Sequence, residues 1–367
     1  MTATLIGVNS AQAVKAWSAD LHVDVSRASY FSRKFMGRGD NLPIQIKTEL
    51  ENDAGDTIKF DLSVAIGGNL VEGDTRRAGT ETALTFYQDE VKIDQAYKGV
   101  SAGGTMTRKR TLHDLRKIAK ARLTEYWARV TDELIMMYLA GARGVNTGFN
   151  FDTSYTGRAG NSFTAPDSAH IMYGDGSSKA TLTSAGTMTR TVIERACTKA
   201  ATLGGGAAAN GLVSIQPAMV EGRERFVLLM HTFQEHSLRT GTGSGDWLDI
   251  QKAAAGAEGR NNPIFDGSAG MIRNTILHSH ERVIQYSDYG VGVNLPAARA
   301  LFMGRQAAVM AYGSPGNGMR YKWIEEMDDR ENELVVGTSA IFGTKKATFN
   351  SKDFGVIAID TYAPDPG

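Results

Sequence analysis

The 367-residue chain carries 40 basic and 40 acidic side chains, so its formal charge is zero and it lacks the basic surplus of a dedicated nucleic-acid binder. It is 42% hydrophobic and 22% charged, a globular composition. Its one cysteine, Cys197, excludes an internal disulfide framework and suits a reducing compartment.

The opening stretch, MTATLIGVNSAQAVKAWSADLHVDV, has no charged-then-apolar leader pattern. No apolar run nears the roughly 20 residues needed to cross a membrane. The expectation is a soluble chain made in a cytoplasm. The first clear element is GDTIKFDLSVAI, Gly55 to Ile66, which alternates strictly. Ile58, Phe60, Leu62, Val64 and Ile66 share one face, as in a half-buried strand. A glycine-rich tip follows (Gly67 to Thr80), then a returning strand within Glu81 to Tyr97 through Leu84, Phe86, Val91 and Ile93. An isolated hairpin of this kind is marginal in water. Ordering some fifty residues costs on the order of 50–100 kcal/mol of backbone entropy, so its apolar side needs a cover. Either the rest of the chain or a neighbouring subunit supplies it.

Thr111 to Gly141 has no proline, and its only glycine is the last residue. Leu112, Leu115, Ala119, Leu123, Tyr126, Trp127, Val130, Leu134 and Met137 recur at steps of three and four, which places them on one helical face. Arg116, Lys117, Lys120, Glu125, Arg129, Asp132 and Glu133 fall elsewhere. Thr111 with Asp114 reads as a capping box, and Gly141 as the stop. Thirty helical residues span about 45 Å, a spine for a flat or elongated molecule.

Arg143 to Thr181 is rich in Gly, Ser, Thr and Asn and is expected to be a partly ordered surface insertion. A second helix spans roughly Ser184 to Leu203, with Met188, Val192, Ala196, Ala200 and Leu203 on its apolar face and Cys197 packing beside them. Leu203 to Asn210 reads as a hinge or linker. Phe226 to Met230 is a buried-strand run that turns helical, and Asp246 to His280 reads as a short helix, a loop and a strand. Leu295 to Gly313, rich in small residues, is expected to end in a helix. Strands return after Tyr321, the last being Phe354 to Ile359. Strands and helices do not alternate as in a doubly wound sheet, so the fold class is α+β.

The chain is poor in catalytic patterns. His278 and His280 occupy alternate strand positions with Glu281 next, a pair that would need further ligands to hold zinc. His231 and His236 lack the His-Glu-x-x-His spacing, and no Gly-x-Ser-x-Gly elbow occurs. No catalytic, cofactor or metal site is assigned. Two charge clusters stand out: a basic band, Arg108 to Arg122 including Arg116 and Lys117, and an acidic stretch, Ile324 to Glu333 including Glu325 and Glu326. Each suits a solvated surface, or the two meet across an interface. The residues describe a neutral α+β protein built to self-assemble.

Several stretches, in order, resemble the major capsid proteins of tailed bacteriophages, in the family typified by the N-four-like podophages. They include KFMGRGDNLPIQIKTELENDAGDTIKFDLSVAIGG, VEGDTRRAGTETALTFYQDEVKID, TLHDLRKIAKARLTEYWARVTDELIMMYLAGARG, NNPIFDGSAGMIRNTILH, LFMGRQA and FGTKKATFNSKDFGVIAIDTYA. Met230 to Gln234 departs from the pattern, where a proline is expected after the histidine. The resemblance implies the Hong Kong 97 fold: an N-terminal arm (1–45), an extended loop (46–104), a peripheral domain with the spine helix (105–203), an axial domain (204–318) and return strands of the peripheral domain (319–367). It implies a non-enzymatic protein, without cofactor, that assembles with itself as hexamers and pentamers into an icosahedral shell around double-stranded DNA. Portal, scaffold or decoration proteins would be its other partners, the virion its destination and the host cytoplasm its place of synthesis. Gly68, Leu70, Val71 and Glu72 at the loop tip, with Arg116, Lys117, Glu325 and Glu326, are the expected inter-subunit contacts. The competing readings are a soluble metal-dependent enzyme using His278 and His280, and a phage decoration or binding protein.

Overall fold

The computed structural model describes residues 21–51, 53–63, 70–74, 76–81, 83–111, 113–203, 215–220, 223–241, 270–315 and 319–367. Residues 21–28 are helical, and helix α1 (Tyr30–Lys34) follows. Strands β1 (Met36–Gly37) and β2 (Ile44–Lys47) precede the hairpin of β3 (Thr57–Ser63) and β4 (Phe86–Lys92). Then come β5 (Asp94–Gly104), α2 (Thr105–Arg110) and the long helix α3 (Leu115–Ala140). Short strands β6 (Gly157–Arg158), β7 (Asn161–Ser162) and β8 (Ile171–Tyr173) lead to α4 (Arg190–Thr202). The second half holds β9 (Ala218–Val220), β10 (Arg223–Met230), α5 (Thr232–Thr240), β11 (Gly270–Ile272), β12 (Thr275–Ser279), β13 (Gln285–Tyr289), β14 (Leu295–Met303) and β15 (Ala308–Gly313). It closes with β16 (Tyr321–Asp328), β17 (Glu333–Lys346), β18 (Thr348–Phe349), β19 (Lys352–Asp353) and β20 (Val356–Tyr362).

Helix α3 organises the core. Asp114 is its N-cap, accepting from the Lys117 amide at 3.2 Å, so the expected capping box at Thr111 gives way to a start one turn later. Gly141 ends it at φ 71°, where an added Cβ would lie 2.2 Å from the Thr164 carbonyl oxygen. Up to Arg129 the helix is amphipathic, burying Ala119, Leu123 and Trp127 and exposing Lys117, Arg122 and Glu125. From Val130 to Ala140 every residue is buried, so the single apolar face expected from the sequence holds only for the first half. A helix buried on all sides needs neighbours all round it. One sheet, ordered β1-β2-β15-β17-β16 with β5 on β17, contributes Met310, Trp323, Val336 and Phe342 to its packing. The other, ordered β11-β12-β10-β14-β20-β8 with β13 on β14 and β9 on β10, contributes Val227, Leu229, Leu301, Met303 and Val356.

The second sheet is covered on its other face too. Phe226, Leu228, Met230, Phe302, Ile357 and Ile359 pack with Met188, Val192, Ala196 and Ala200 of the α4 region. Side chains alternate between faces along each strand, so a strand buried on both sides reads as an unbroken apolar run. That explains FVLLM and VIAI, and it corrects the expected helix in Leu295–Gly313. LPAARALFM and AVMAYG are strands β14 and β15, every residue of Ala297–Met303 and of β15 being buried. Alanine favours helices intrinsically, but burial on two faces overrides that preference.

Arg143 to Thr181 is also more than a surface insertion. Its β8 adds a parallel strand beside β20, pairing Ile171 with Ala358. The sheets cross the expected domain limits as well. β15, before residue 318, pairs with β17, after it, and β20 lies between β14 and β8 rather than with the other return strands.

Candidate assembly surface

The base of the hairpin packs against the first sheet. β3 and β4 pair antiparallel, Ile58 with Val91, Phe60 with Asp89 and Leu62 with Tyr87. Near the base its inner row has cover from its own chain: Ile58 and Val91 pack with Val309 and Ala311, while Phe60, Leu62 and Tyr87 pack with Ala347, Phe349 and Phe354. Buried Asp89 fastens this base, contacting Lys345 and accepting from the Thr348 amide at 3.0 Å. The expected single returning strand breaks at Ile93. β4 stays with β3, and β5 crosses to β17. Strand parity corrects the expected face: Tyr87, Asp89 and Val91 turn inward, so Phe86 faces out. Phe86 is 58% exposed, and Leu84 is exposed with it. Towards the tip Leu70 is 88% exposed, and Val71 and Glu72 are exposed beside it. Val64, Ile66 and Gly68 lie outside the described residues.

The charge clusters do meet, but inside one chain. Arg116 Nε donates to Glu325 Oε1 at 2.7 Å, and the Trp323 indole N–H donates to the same oxygen at 2.7 Å. Glu325 is only 4% exposed. Arg116 and Glu325, expected to meet between subunits, thus pair within this chain. The pairing arises because β16 packs on the flank of α3. Arg108 Nη2 likewise donates to the Asn332 carbonyl at 3.2 Å, in the turn joining β16 and β17. Lys117 and Glu326 remain on the surface.

Three buried polar groups set the geometry behind this surface, and the sequence reading placed none of them. Asp132, expected on a polar helix face, is buried and accepts from Ser29 Oγ (2.8 Å), the Tyr30 amide (2.8 Å) and the Phe31 amide (3.0 Å). A carboxylate from α3 thus caps α1 and ties the preceding chain to the spine. Burial pushes the Asp132 carboxyl up to about 6, against those hydrogen bonds and the charge of Arg282. Next to it, Glu133 contacts Arg282 and accepts from the Asn150 amide at 2.9 Å. At the other end of α3, Arg299 forms a bidentate pair with Asp360, both bonds 2.7 Å, and its Nη1 donates to the Ala140 carbonyl at 2.7 Å. Burial works against that guanidinium charge, but Asp360 overrides it and holds the pKa well above the usual value. The available signal was a charged residue inside an apolar run: Arg299 in AARALFM and Asp132–Glu133 before LIMMYLA.

The histidine pair serves packing. His278 is fully buried, its ring edge-on to Phe35 at 5.1 Å, and His280 lies 4.7 Å from the Tyr30 ring. Burial pushes His280 down to about 4, and its Nδ1 accepts from the Arg282 amide. Among the described residues no three His, Cys, Asp or Glu side chains gather at metal-binding range. Cys197 is buried on α4, as expected, 3.1 Å from the Thr275 hydroxyl.

Solved phage capsid subunits share this α+β fold. The chain belongs to the phage capsid protein family, whose model matches residues 5–365. It is similar to the capsid of Ralstonia phage GP4 at 54% identity and a TM-score of 0.85, over 100% of both chains. The capsid asymmetric unit of cyanophage Pam1 is 25% identical, with a TM-score of 0.70 over 92% of this chain and 93% of that one. The major capsid protein of Pseudomonas phage KPP25 is 25% identical over 358 residues, 91% of each chain. The chain is a phage major capsid protein, a structural subunit and not an enzyme.

Proposed function

We propose that this subunit assembles with itself, as hexamers and pentamers, into an icosahedral shell around double-stranded DNA. Portal, scaffold or decoration proteins join the shell, and the subunit is made in the host cytoplasm and ends in the virion. The N-terminal arm and extended loop (1–45 and 46–104) reach neighbours, the spine region (105–203 and 319–367) forms the tile body, and 204–318 gathers at the symmetry axes. The observation that carries this reading is the outward row of the hairpin. Its base is covered by its own chain, but Leu70, Val71, Leu84 and Phe86 are left in water. Burying a large apolar side chain is worth about 1.5–3 kcal/mol, so a neighbour seated there gains substantially. A contact between unlike patches on identical chains closes into rings when the rotation allows. Lys117 and Glu326, exposed beside the Arg116–Glu325 pair, belong to the same proposed contact zone.

The test is Leu70→Asp, with Phe86→Asp as a second variant. Subunit circular dichroism should match the parent, and particles viewed by negative-stain microscopy should be lost. Normal particles from both variants would remove the hairpin from the contact.

A further inference from the structure

The hairpin of β18 and β19 encloses a lysine and a carboxylate that are almost shut off from solvent and, among the described residues, form a salt bridge with each other. Lys346, at the end of β17, and Asp353, in β19, are both almost completely buried. Lys346 Nζ lies 2.7 Å from Asp353 Oδ1. Beyond that contact, among the described residues, Nζ has no well-directed hydrogen-bond acceptor and Asp353 Oδ2 has no donor. An ion pair in such a place retains its charges only with good geometry and further hydrogen bonds. Here the distance is short, but the further hydrogen bonds are missing among the described residues. Phe349, Phe354 and Ala347 fill the space around the same hairpin.

The backbone holds the two groups in place. Thr348 pairs with Asp353 and Phe349 with Lys352, and Asn350 and Ser351 take left-handed conformations in a tight turn. The Phe354 amide donates to the Ala347 carbonyl at 3.1 Å. Outside the hairpin, Asp167 Oδ2 accepts from the Asp353 amide at 2.9 Å and from His170 Nδ1 at 2.7 Å, assigning that proton to Nδ1. Asp167 and His170 therefore act as positioning residues for the Asp353 backbone.

We propose that Lys346 and Asp353 condense to an isopeptide bond within the folded subunit. The ammonium first passes a proton to the carboxylate, giving a neutral amine and a neutral acid. The amine nitrogen then bonds to the carboxyl carbon. The C–O bond to the hydroxyl breaks, and that hydroxyl leaves as water with a proton from the nitrogen. Nothing is oxidised or reduced, and no co-reactant is needed. Burial drives the first transfer, lowering the Lys346 pKa and raising that of Asp353, while their mutual attraction opposes both shifts. Water is the product that must leave, and the dry surroundings oppose the reverse hydrolysis. The product is a short covalent ring at the foot of the extended hairpin, beside the Lys345–Asp89 anchor.

Intact mass spectrometry of the full chain, purified as particles and then denatured, reads this directly. The expected mass is one water below the sequence mass. Trypsin should be blocked at Lys346 and still cut at Lys352, giving a branched peptide that joins the segment from Lys346 to the segment from Asp353. Lys346→Arg and Asp353→Ala should each restore the full mass. A water deficit that persists in Lys346→Arg would instead mark a cyclic imide at an aspartate and overturn the proposal. A full sequence mass in the parent particles overturns it as well. Should either variant fail to fold, the presence or absence of the branched peptide in the parent decides.

Discussion

Replacing Arg299 with methionine tests whether the spine helix is locked to the second sheet by one buried ionic cluster. The side chain sits beneath the end of α3, with Asp360 on one side and the Ala140 carbonyl on the other. Methionine keeps much of the volume and removes the charge. Asp360, fully buried, would keep the Tyr289 hydroxyl at 2.6 Å and lose both guanidinium bonds. Removing one partner of a buried pair costs about 3–5 kcal/mol. The carbonyl of Ala140 loses its Arg299 donor as well, for about 1 kcal/mol more. Against a total stability of about 5–15 kcal/mol, that is from about a third of it to nearly all of it. Urea denaturation of dissociated subunits, followed by circular dichroism, measures the loss. Arg299→Met with Asp360→Leu should recover most of it, since an apolar replacement of a whole buried pair is often neutral. A single variant within about 1 kcal/mol of the parent, or a double variant no better than the single, would refute this reasoning.

Asp132→Asn probes the tie between α1 and the spine by its pH dependence. Folded Asp132 titrates at about 6 against 3.8 for the ordinary carboxyl, so folding takes up a proton between those values and stability falls as pH rises through that window. The stability difference between parent and variant should therefore move in the variant's favour by about 2–3 kcal/mol from pH 4 to pH 7, and parallel pH profiles would contradict this. Glu325→Lys should destabilise the subunit itself by about 1–3 kcal/mol, because it sets a cation against Arg116 and strips the Trp323 N–H of its acceptor. Unchanged subunit melting together with lost particles would return the Arg116–Glu325 contact to the interface between subunits.

Apolar periodicity made much of the core legible. Met188, Val192, Ala196, Ala200 and Leu203 are all buried, and FVLLM and VIAI are strands because continuous apolar runs need cover on two faces. The same rule misled in Leu295–Gly313, where alanine-rich strands and buried helices share a composition and only the sheet partners decide. Hairpin parity was readable in principle. Leu84 and Phe86 stand on even positions and Val91 and Ile93 on odd ones, so no regular strand puts all four on one face. The two charge clusters were visible as clusters. Whether Arg116 finds Glu325 on its own chain or on a neighbour depends on tertiary packing across some two hundred residues, which local pattern does not encode. Membership of the hairpin tip in a contact surface rested on Leu70 and Val71 lying among glycines, and both are exposed.

The position of β20 in the second sheet bears on when a subunit becomes competent. β20 lies between β14 and β8, so it completes a sheet whose other strands leave the ribosome before it. Until it arrives, the apolar edges of β14 and β8 are unpaired, and α3 lacks Asp360, the anchor that orients Arg299 against its end. Pairings this distant in sequence form late and raise the contact order of folding. A nascent chain can extrude its sticky hairpin early, yet it has no finished body to place behind it. A chain stopped before β20 would therefore lack both the strand that joins β14 to β8 and the carboxylate that holds Arg299 under the end of α3.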